Sequence, residues 1–297
     1  MKTITKIFFN FASSRWYEAQ EFFRRIGRYD LADGSEEPFG YYFEFYNNDN
    51  KIQQFLEEAK NLGFQDKVSI RIDKIYTDVE LRSFPILAII VNSAPQCDGG
   101  AKYGTKYDLS NACPECLAGA RQTSPLILNA SGISQKKLIA QTYSDERLVS
   151  PILAQALKDE KVTGLKFVEV FSMNKREKLP WFQLLSEYEM PPMSLITKGI
   201  IRGKAEFDGA PCSLCGRDSY FHNANMPSEI YYDKSTVNIE ELPDVMKTFE
   251  YFGKTILKTP IEDSVLSNQW VLVKPKVLDV MRKMKVRGVK FEPVRIE

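Results

Sequence analysis

The chain has 297 residues, 40 Lys and Arg against 39 Asp and Glu, one His and five Cys. That length fits two domains at roughly 100–200 residues each, and 43% hydrophobic with 27% charged residues excludes a disordered or collagen-like chain. A net charge of +1 excludes holding nucleic acid or anionic membrane by bulk attraction, and a single histidine excludes chemistry that needs two imidazoles, such as HExxH zinc proteolysis.

The first 95 residues read as an α/β sandwich. Lys6–Phe11 has the aromatic and β-branched content of a strand. Trp16, Ala19, Phe22, Phe23 and Ile26 then recur at helical spacing behind the possible caps Ser13 and Ser14. Phe39–Tyr46 is a second strand whose aromatics read as core, with an exposed docking face as the other reading. A second helix carries Ile52, Phe55, Leu56, Ala59 and Leu62, opened by Asn50 with Gln53 and closed by Gly63. Val68–Ile72 alternates as a strand, and Pro85–Val91 reads as a buried one. The βαβα order followed by strands gives the α/β sandwich.

Polar and glycine residues cluster in Asn92–Gly100, and the domain boundary is expected there, dividing the chain into 1–95 and 96–297. The larger region carries a partial internal repeat. Lys161-Val-Thr-Gly-Leu-Lys-Phe-Val-Glu-Val170 matches Lys285-Val-Arg-Gly-Val-Lys-Phe-Glu-Pro-Val294, each behind an amphipathic helix. The first helix has Val149, Ile152, Leu153, Ala156 and Leu157 on one face, and the second has Val277, Val280, Met281 and Met284 behind Pro275. Gly164 and Gly288 sit where helix hands over to strand and predict left-handed turns. A CxxC precedes each copy, but the two spacings differ by about 25 residues, which implies an insertion; a chance helix–turn–strand likeness is the alternative.

The cysteines are the most informative rare residues. Cys113-Pro-Glu-Cys116 and Cys212-Ser-Leu-Cys215-Gly216 are two knuckles whose thiolates could converge on one tetrahedral ion, the closed four-cysteine pattern of a structural Zn2+ site. Glycine follows the second knuckle, whereas Leu117 follows the first. The gap of 95 residues (117–211) far exceeds a compact zinc ribbon. A shared zinc would therefore make much of the region an insertion between its own ligands; metal-free cysteines and a redox pair are the competing readings. Cys97 is expected to be a solvent-facing free thiol, and His222 a surface or hydrogen-bonded loop residue rather than a substitute ligand.

The longest apolar run, Phe84–Val91, falls far short of the roughly 20 residues that cross a bilayer, and Met1–Phe11 lacks the pattern of a secretory signal. A cytoplasmic setting, where thiols stay reduced, is expected. No GxGxxG, GxxxxGK[ST] or GxSxG occurs, and no carboxylate constellation favours a hydrolase or nuclease, so no catalytic activity is expected. Around the knuckles Lys102, Tyr103, Lys106, Tyr107, Arg121, Arg202, Lys204, Arg217, Tyr220 and Phe221 interleave cations with aromatics, as single-strand binding requires. Asp108, Glu115, Glu206, Asp208 and Asp218 interrupt them.

Residues 101–297 resemble the double-CXXCG motif family of bacterial proteins. The likeness rests on the two knuckles, Met190-Pro-Pro-Met193, a helix around Glu240–Met246, and the terminal Val286-Arg-Gly-Val-Lys-Phe-Glu-Pro-Val294. The resemblance implies an immunity protein that neutralises a cognate toxin in a polymorphic toxin system. A zinc-ribbon nucleic-acid-binding protein is the alternative. The expected architecture is α+β: a small α/β sandwich, then a larger α+β domain with a partial repeat and a split zinc-ribbon-like site of Cys113, Cys116, Cys212 and Cys215.

Overall fold

The computed structural model describes residues 2–9, 16–28, 31, 41–46, 49–91, 97–129, 133–134, 136–143, 145–174, 177–202, 212–217, 219–222, 228–252 and 268–297. It is mixed α+β and divides into two compact units, Met1–Glu80 with Asn223–Pro227, and Leu81–His222 with Ser228–Glu297.

In the first unit, β1 (Lys2–Phe9) is the middle strand, antiparallel to both β2 (Tyr41–Tyr46) and β3 (Val68–Ile75). Helices α1 (Trp16–Arg25) and α2 (Lys51–Asn61) supply Ala19, Phe22, Phe23, Phe55 and Ala59 to a core with Ile7, Phe9, Phe43 and Phe64. Phe9 is its hub: its ring stacks on Phe22 at 4.6 Å and meets Phe64 edge-on at 5.1 Å. Phe43 is buried as expected of a core aromatic, whereas Tyr46 faces solvent. Asn50 makes no side-chain cap; the Asp49 carboxylate accepts the Lys51 N–H instead, at 3.0 Å. Gly63 ends α2 at φ 69° while the Phe64 N–H reaches back to Ala59 O, the left-handed cap that only glycine adopts without strain. Ser13 and Ser14 lie outside the described residues.

The short helix α3 (Asp78–Arg82) precedes β4 (Ile86–Val91). Next come β5 (Asp98–Gly99), β6 (Tyr107–Asp108), β7 (Arg121–Gln122), β8 (Leu126–Asn129), β9 (Ile139–Gln141) and β10 (Arg147–Val149). Helix α4 (Pro151–Asp159) leads to β11 (Leu165–Ser172), β12 (Lys178–Ser186), β13 (Ile200–Arg202) and β14 (Ser219–His222). The last segment holds β15 (Ile230–Tyr232), β16 (Val245–Lys247), β17 (Tyr251–Phe252), β18 (Val271–Val273), α5 (Pro275–Lys283) and β19 (Val289–Ile296).

The unit boundary falls at Glu80/Leu81, not at 95/96. Composition marked Asn92–Gly100 as a linker, but β4 ahead of it is a buried central strand of the second unit, antiparallel to both β18 and β19. The stretch labelled as a helix around Glu240 is a single 3-10 turn, Ile239–Glu241, followed by strand β16; Pro243 between them denies a helix its backbone donor.

The repeat extends through the whole second unit. One sheet runs β8-β11-β12-β10-β9, with β5 added beside β8; the other runs β15-β19-β4-β18-β16. In both, the first pair (β8 with β11, β15 with β19) is parallel and every later pair is antiparallel. Ser186 of β12 lies opposite Leu165, as Val91 of β4 lies opposite Val289. Residues 86–172 and 178–296 are therefore two copies of one strand–knuckle–strand–strand–strand–helix–strand unit. Their first strands are exchanged: β4 sits in the sheet of the second copy, and β12 in that of the first.

Hydrogen bonds repeat with the strands. Thr142 N–H donates to Glu146 O and Thr142 Oγ1 accepts the Glu146 N–H, both at 3.0 Å; Thr248 and Trp270 make the same pair at 3.0 Å each. Four residues separate the first pair and 22 the second (146 against 142, 270 against 248), so this loop holds most of the insertion. Both helices open on a proline, Pro151 and Pro275, and only α4 has a side-chain cap, Ser150 Oγ accepting the Leu153 N–H. Leu153 and Leu157 are buried on α4 as expected, whereas Ile152 is exposed and Ala154 is buried in its place. Helices α4 and α5 touch, with Lys283 paired to Glu160 at 2.7 Å and Lys276 Nζ donating to Lys161 O at 2.8 Å.

Candidate metal centre

Each CxxC forms the same turn. In the first, Leu117 N–H donates to Cys113 O at 2.8 Å and Cys113 N–H to Ala118 O at 2.9 Å. In the second, Gly216 N–H donates to Cys212 O at 2.8 Å and Cys212 N–H to Arg217 O at 3.0 Å. Leu117 at φ 56° takes the left-handed conformation of Gly216 at φ 68°, so the missing glycine of the first motif changes the residue and not the turn. The buried Leu117 side chain keeps a residue that this backbone disfavours.

The turns face each other in register. Cys113 Sγ lies 3.6 Å from Cys212 Sγ, and Cys116 Sγ lies 3.6 Å from Cys215 Sγ, so equivalent residues of the two copies meet, as across a two-fold axis. All four sulfurs lie within 4.8 Å of one another. A Zn–S bond of about 2.3 Å implies a tetrahedral S···S edge of about 3.8 Å, which these spacings fit. The 95-residue gap is thus no obstacle: it is the body of one copy, and the knuckles meet because the copies pack together.

Burial is graded. Cys113 and Cys212 are buried with Ala118 beneath the half-buried Cys116, and Cys215 is exposed. Tyr251 closes one side, its hydroxyl accepting the Gly119 N–H at 3.0 Å. Glu115 spans the knuckles, its carboxylate accepting from Ser213 Oγ at 2.7 Å and Cys212 Sγ at 3.3 Å. The Arg217 guanidinium covers the Phe249 ring at 4.1 Å and donates to both Glu189 carboxylate oxygens, at 2.9 and 3.4 Å. Burial raises the Cys113 thiol, but the backbone N–H groups of Cys116 and Glu115 outweigh it and bring it down to about 7. Burial pushes Cys116 and Cys212 upward. Four sulfurs this close repel one another as thiolates unless a cation lies between them, so the donor set fits a divalent metal.

Tyr251 escapes the sequence reading, because residues 132 positions apart share no local pattern; the acidic residue inside Cys-Pro-Glu-Cys was the available sign for Glu115. Cys97 is corrected: it is buried, bridged to Thr142 and packed among Leu126, Leu128 and Trp181, and burial pushes its thiol to about 12. A Cβ on the neighbouring Gly99 would fall 2.3 Å from the Leu128 side chain, so the described part of the glycine-rich loop, residues 97–100, is packed. His222 ends β14 opposite Ile200, and its side chain lies outside the described residues.

Fold and site define a class: a strand-exchanged α+β duplication whose copies each contribute one knuckle to a four-cysteine cluster that could hold a metal ion. No family model, curated protein or solved structure matches the chain. No described helix is long and apolar enough to cross a membrane.

Proposed function

We propose that Cys113, Cys116, Cys212 and Cys215 hold one structural Zn2+, and that the chain is a non-enzymatic cytoplasmic immunity protein that binds and neutralises a cognate bacterial toxin. The convergence of four sulfurs from two equivalent knuckles carries the metal reading. Four thiolates fill a tetrahedral shell and leave no position for a reacting water, so bound zinc would supply cross-linking rather than Lewis-acid chemistry. Zinc is preferred because soft thiolate donors in tetrahedral array select it, iron being the main competitor. The residues around it orient and shield: Tyr251 packs against the buried sulfurs, the Arg217 guanidinium lies over the Tyr251 ring, and Glu115 ties one knuckle to the other.

The toxin-neutralising role rests on the resemblance of residues 101–297 to the double-CXXCG family. A near-neutral chain with two independently packed units suits recognition by shape. The nucleic-acid reading is weaker, because several of the described cations and aromatics that motivated it are engaged internally. Arg217 is bound to Glu189, the Tyr103 hydroxyl donates to Asp98 at 2.7 Å, and Arg121 lies 3.5 Å from Asp108. Affinity purification from the native host tests the proposal. Recovery of a toxin encoded beside this chain, with growth rescue on co-expression, is expected; salt-sensitive single-stranded nucleic-acid binding without a toxin would replace this reading with the alternative.

A further inference from the structure

The duplication supplies an internal control for which buried residues the fold requires. Leu148 and Leu272 are equivalent, and Gln183 and Ala88 lie opposite them in the two central strands. By the same equivalence Glu146 matches Trp270 and Arg147 matches Val271. Trp270, Val271 and Ala88 are buried apolar residues, as the interior of a sheet prefers. Their counterparts Glu146, Arg147 and Gln183 are equally buried, at 6%, 5% and 2% exposure. One copy thus shows that the fold accepts hydrocarbon where the other carries an acid, a guanidinium and an amide.

Arg147 is the least satisfied of the three. Its hydrogen bond runs from Nη1 to the backbone O of Asp145, its Nε is buried without a partner, and no carboxylate among the described residues lies within ion-pair distance. The carboxylates of Asp145 and Glu146 act on it through their charge without a direct hydrogen bond: the Glu146 carboxylate accepts the Thr142 hydroxyl, and that of Asp145 accepts the Gln141 amide. Burial raises the pKa of both acids, toward their uncharged forms. Arg147 and Gln183 line a cavity of about 460 Å³ that opens beside the first knuckle; Gln122 and the carboxylates Asp145, Glu146, Glu187 and Glu189 share its walls, Glu187 paired with Lys166 and Glu189 with Arg217 and Lys247. Gln122 and Gln183 exchange amide hydrogen bonds at 2.9 and 3.0 Å, which holds their polar groups at the wall.

We infer that this cavity is a binding site for a small oxyanion, a carboxylate or phosphate group seated against Arg147. A buried guanidinium presents a planar donor fork matched to such a group, and the buried Arg147 Nε, which has no hydrogen-bond partner among the described residues, is completed by a bound acceptor. The site borders the proposed metal centre, sharing Leu117, Arg217 and Tyr251 with it, but the inference rests on neither the metal nor the toxin.

The test titrates inorganic phosphate and, separately, citrate into the full-length zinc-loaded protein, by calorimetry and thermal unfolding, against sodium chloride of equal ionic strength. Saturable binding of one of the two is expected, with the unfolding midpoint rising by roughly 2–4 °C. The probe that binds identifies phosphate or carboxylate as the source. The variant carrying Arg147→Val and Gln183→Ala, the residues of the other copy, is expected to fold and to lose the binding. Should that variant not fold, Arg147→Lys, which keeps the charge without the fork, is expected to bind at least about tenfold more weakly at unchanged circular dichroism. Wild-type protein that binds neither anion, or variants that bind as well as wild type, would overturn the inference.

Discussion

Lys161 and Lys285 have the same left-handed backbone, φ 52° and 53°, one at the end of each copy's helix. Each passes its chain to an apolar residue whose N–H reaches back into the helix, Val162 to Leu157 O at 3.0 Å and Val286 to Met281 O at 2.9 Å. The two copies therefore share helix caps as well as strand order, knuckles and loop hydrogen bonds. That correspondence makes the second unit one cooperative body with exchanged first strands, and its consequences are measurable.

Neither copy has a complete sheet without the other, because β4 and β12 occupy each other's copy. Leu81–Asn174 and Lys178–Glu297 expressed separately should each stay unfolded by circular dichroism and amide exchange. Mixed during refolding, they should regain the spectrum of the intact chain. A folded, monomeric single fragment would contradict the strand exchange.

Gly164 and Gly216 both have positive φ, but only Gly164 is enclosed: a Cβ there would lie 2.3 Å from Val245 O, whereas at Gly216 nothing lies within 4 Å. Gly216→Ala should cost about 1–2 kcal/mol, the left-handed strain alone, and leave metal content unchanged, as Leu117 does in the equivalent turn. Gly164→Ala adds a backbone clash and should cost clearly more. Urea unfolding of the two variants gives the comparison.

Asp244 joins the copies by accepting the Thr163 N–H at 2.9 Å, the Thr163 hydroxyl at 3.1 Å and Lys276 Nζ at 3.1 Å. Burial alone would raise its pKa, but these donors outweigh it and hold the carboxyl below its ordinary value. A depressed carboxylate contributes stability above its unfolded value of about 3.9, which is lost as pH falls through the folded value. Asp244→Asn should therefore cost about 1–3 kcal/mol at pH 7 and progressively less as the pH falls below about 4, read from urea midpoints across that range.

Phe9 is fully buried at the centre of the first unit's aromatic core. Phe9→Ala should destabilise that unit by about 3–5 kcal/mol. With the unit's own transition followed by amide exchange, the second unit should keep its protection.

Much of this was legible in local patterns. Apolar spacing located α1 and α2 of the first unit, and the Lys-Val-x-Gly-x-Lys-Phe segments located the repeat, because helix caps and strand starts are written in contiguous residues. The CxxC spacing located all four sulfurs. What local pattern could not carry was pairing at a distance: β4 looked like the last strand of the first unit, since nothing in Ile86–Val91 says which partners it takes. Cys97 was misread because a run of small residues resembles an exposed loop whether it is solvated or, like Gly99, pressed against a strand. Residues 240–246 looked helical until Pro243 and the pairing of β16 with β18 decided otherwise.

The central claim is that one zinc ion joins the two knuckles, and metal analysis of protein purified without added zinc tests it most directly. One equivalent of zinc per chain is expected, lost together with folded protein in Cys212→Ser. Metal-free wild-type protein that unfolds at the same temperature with and without added zinc would contradict it.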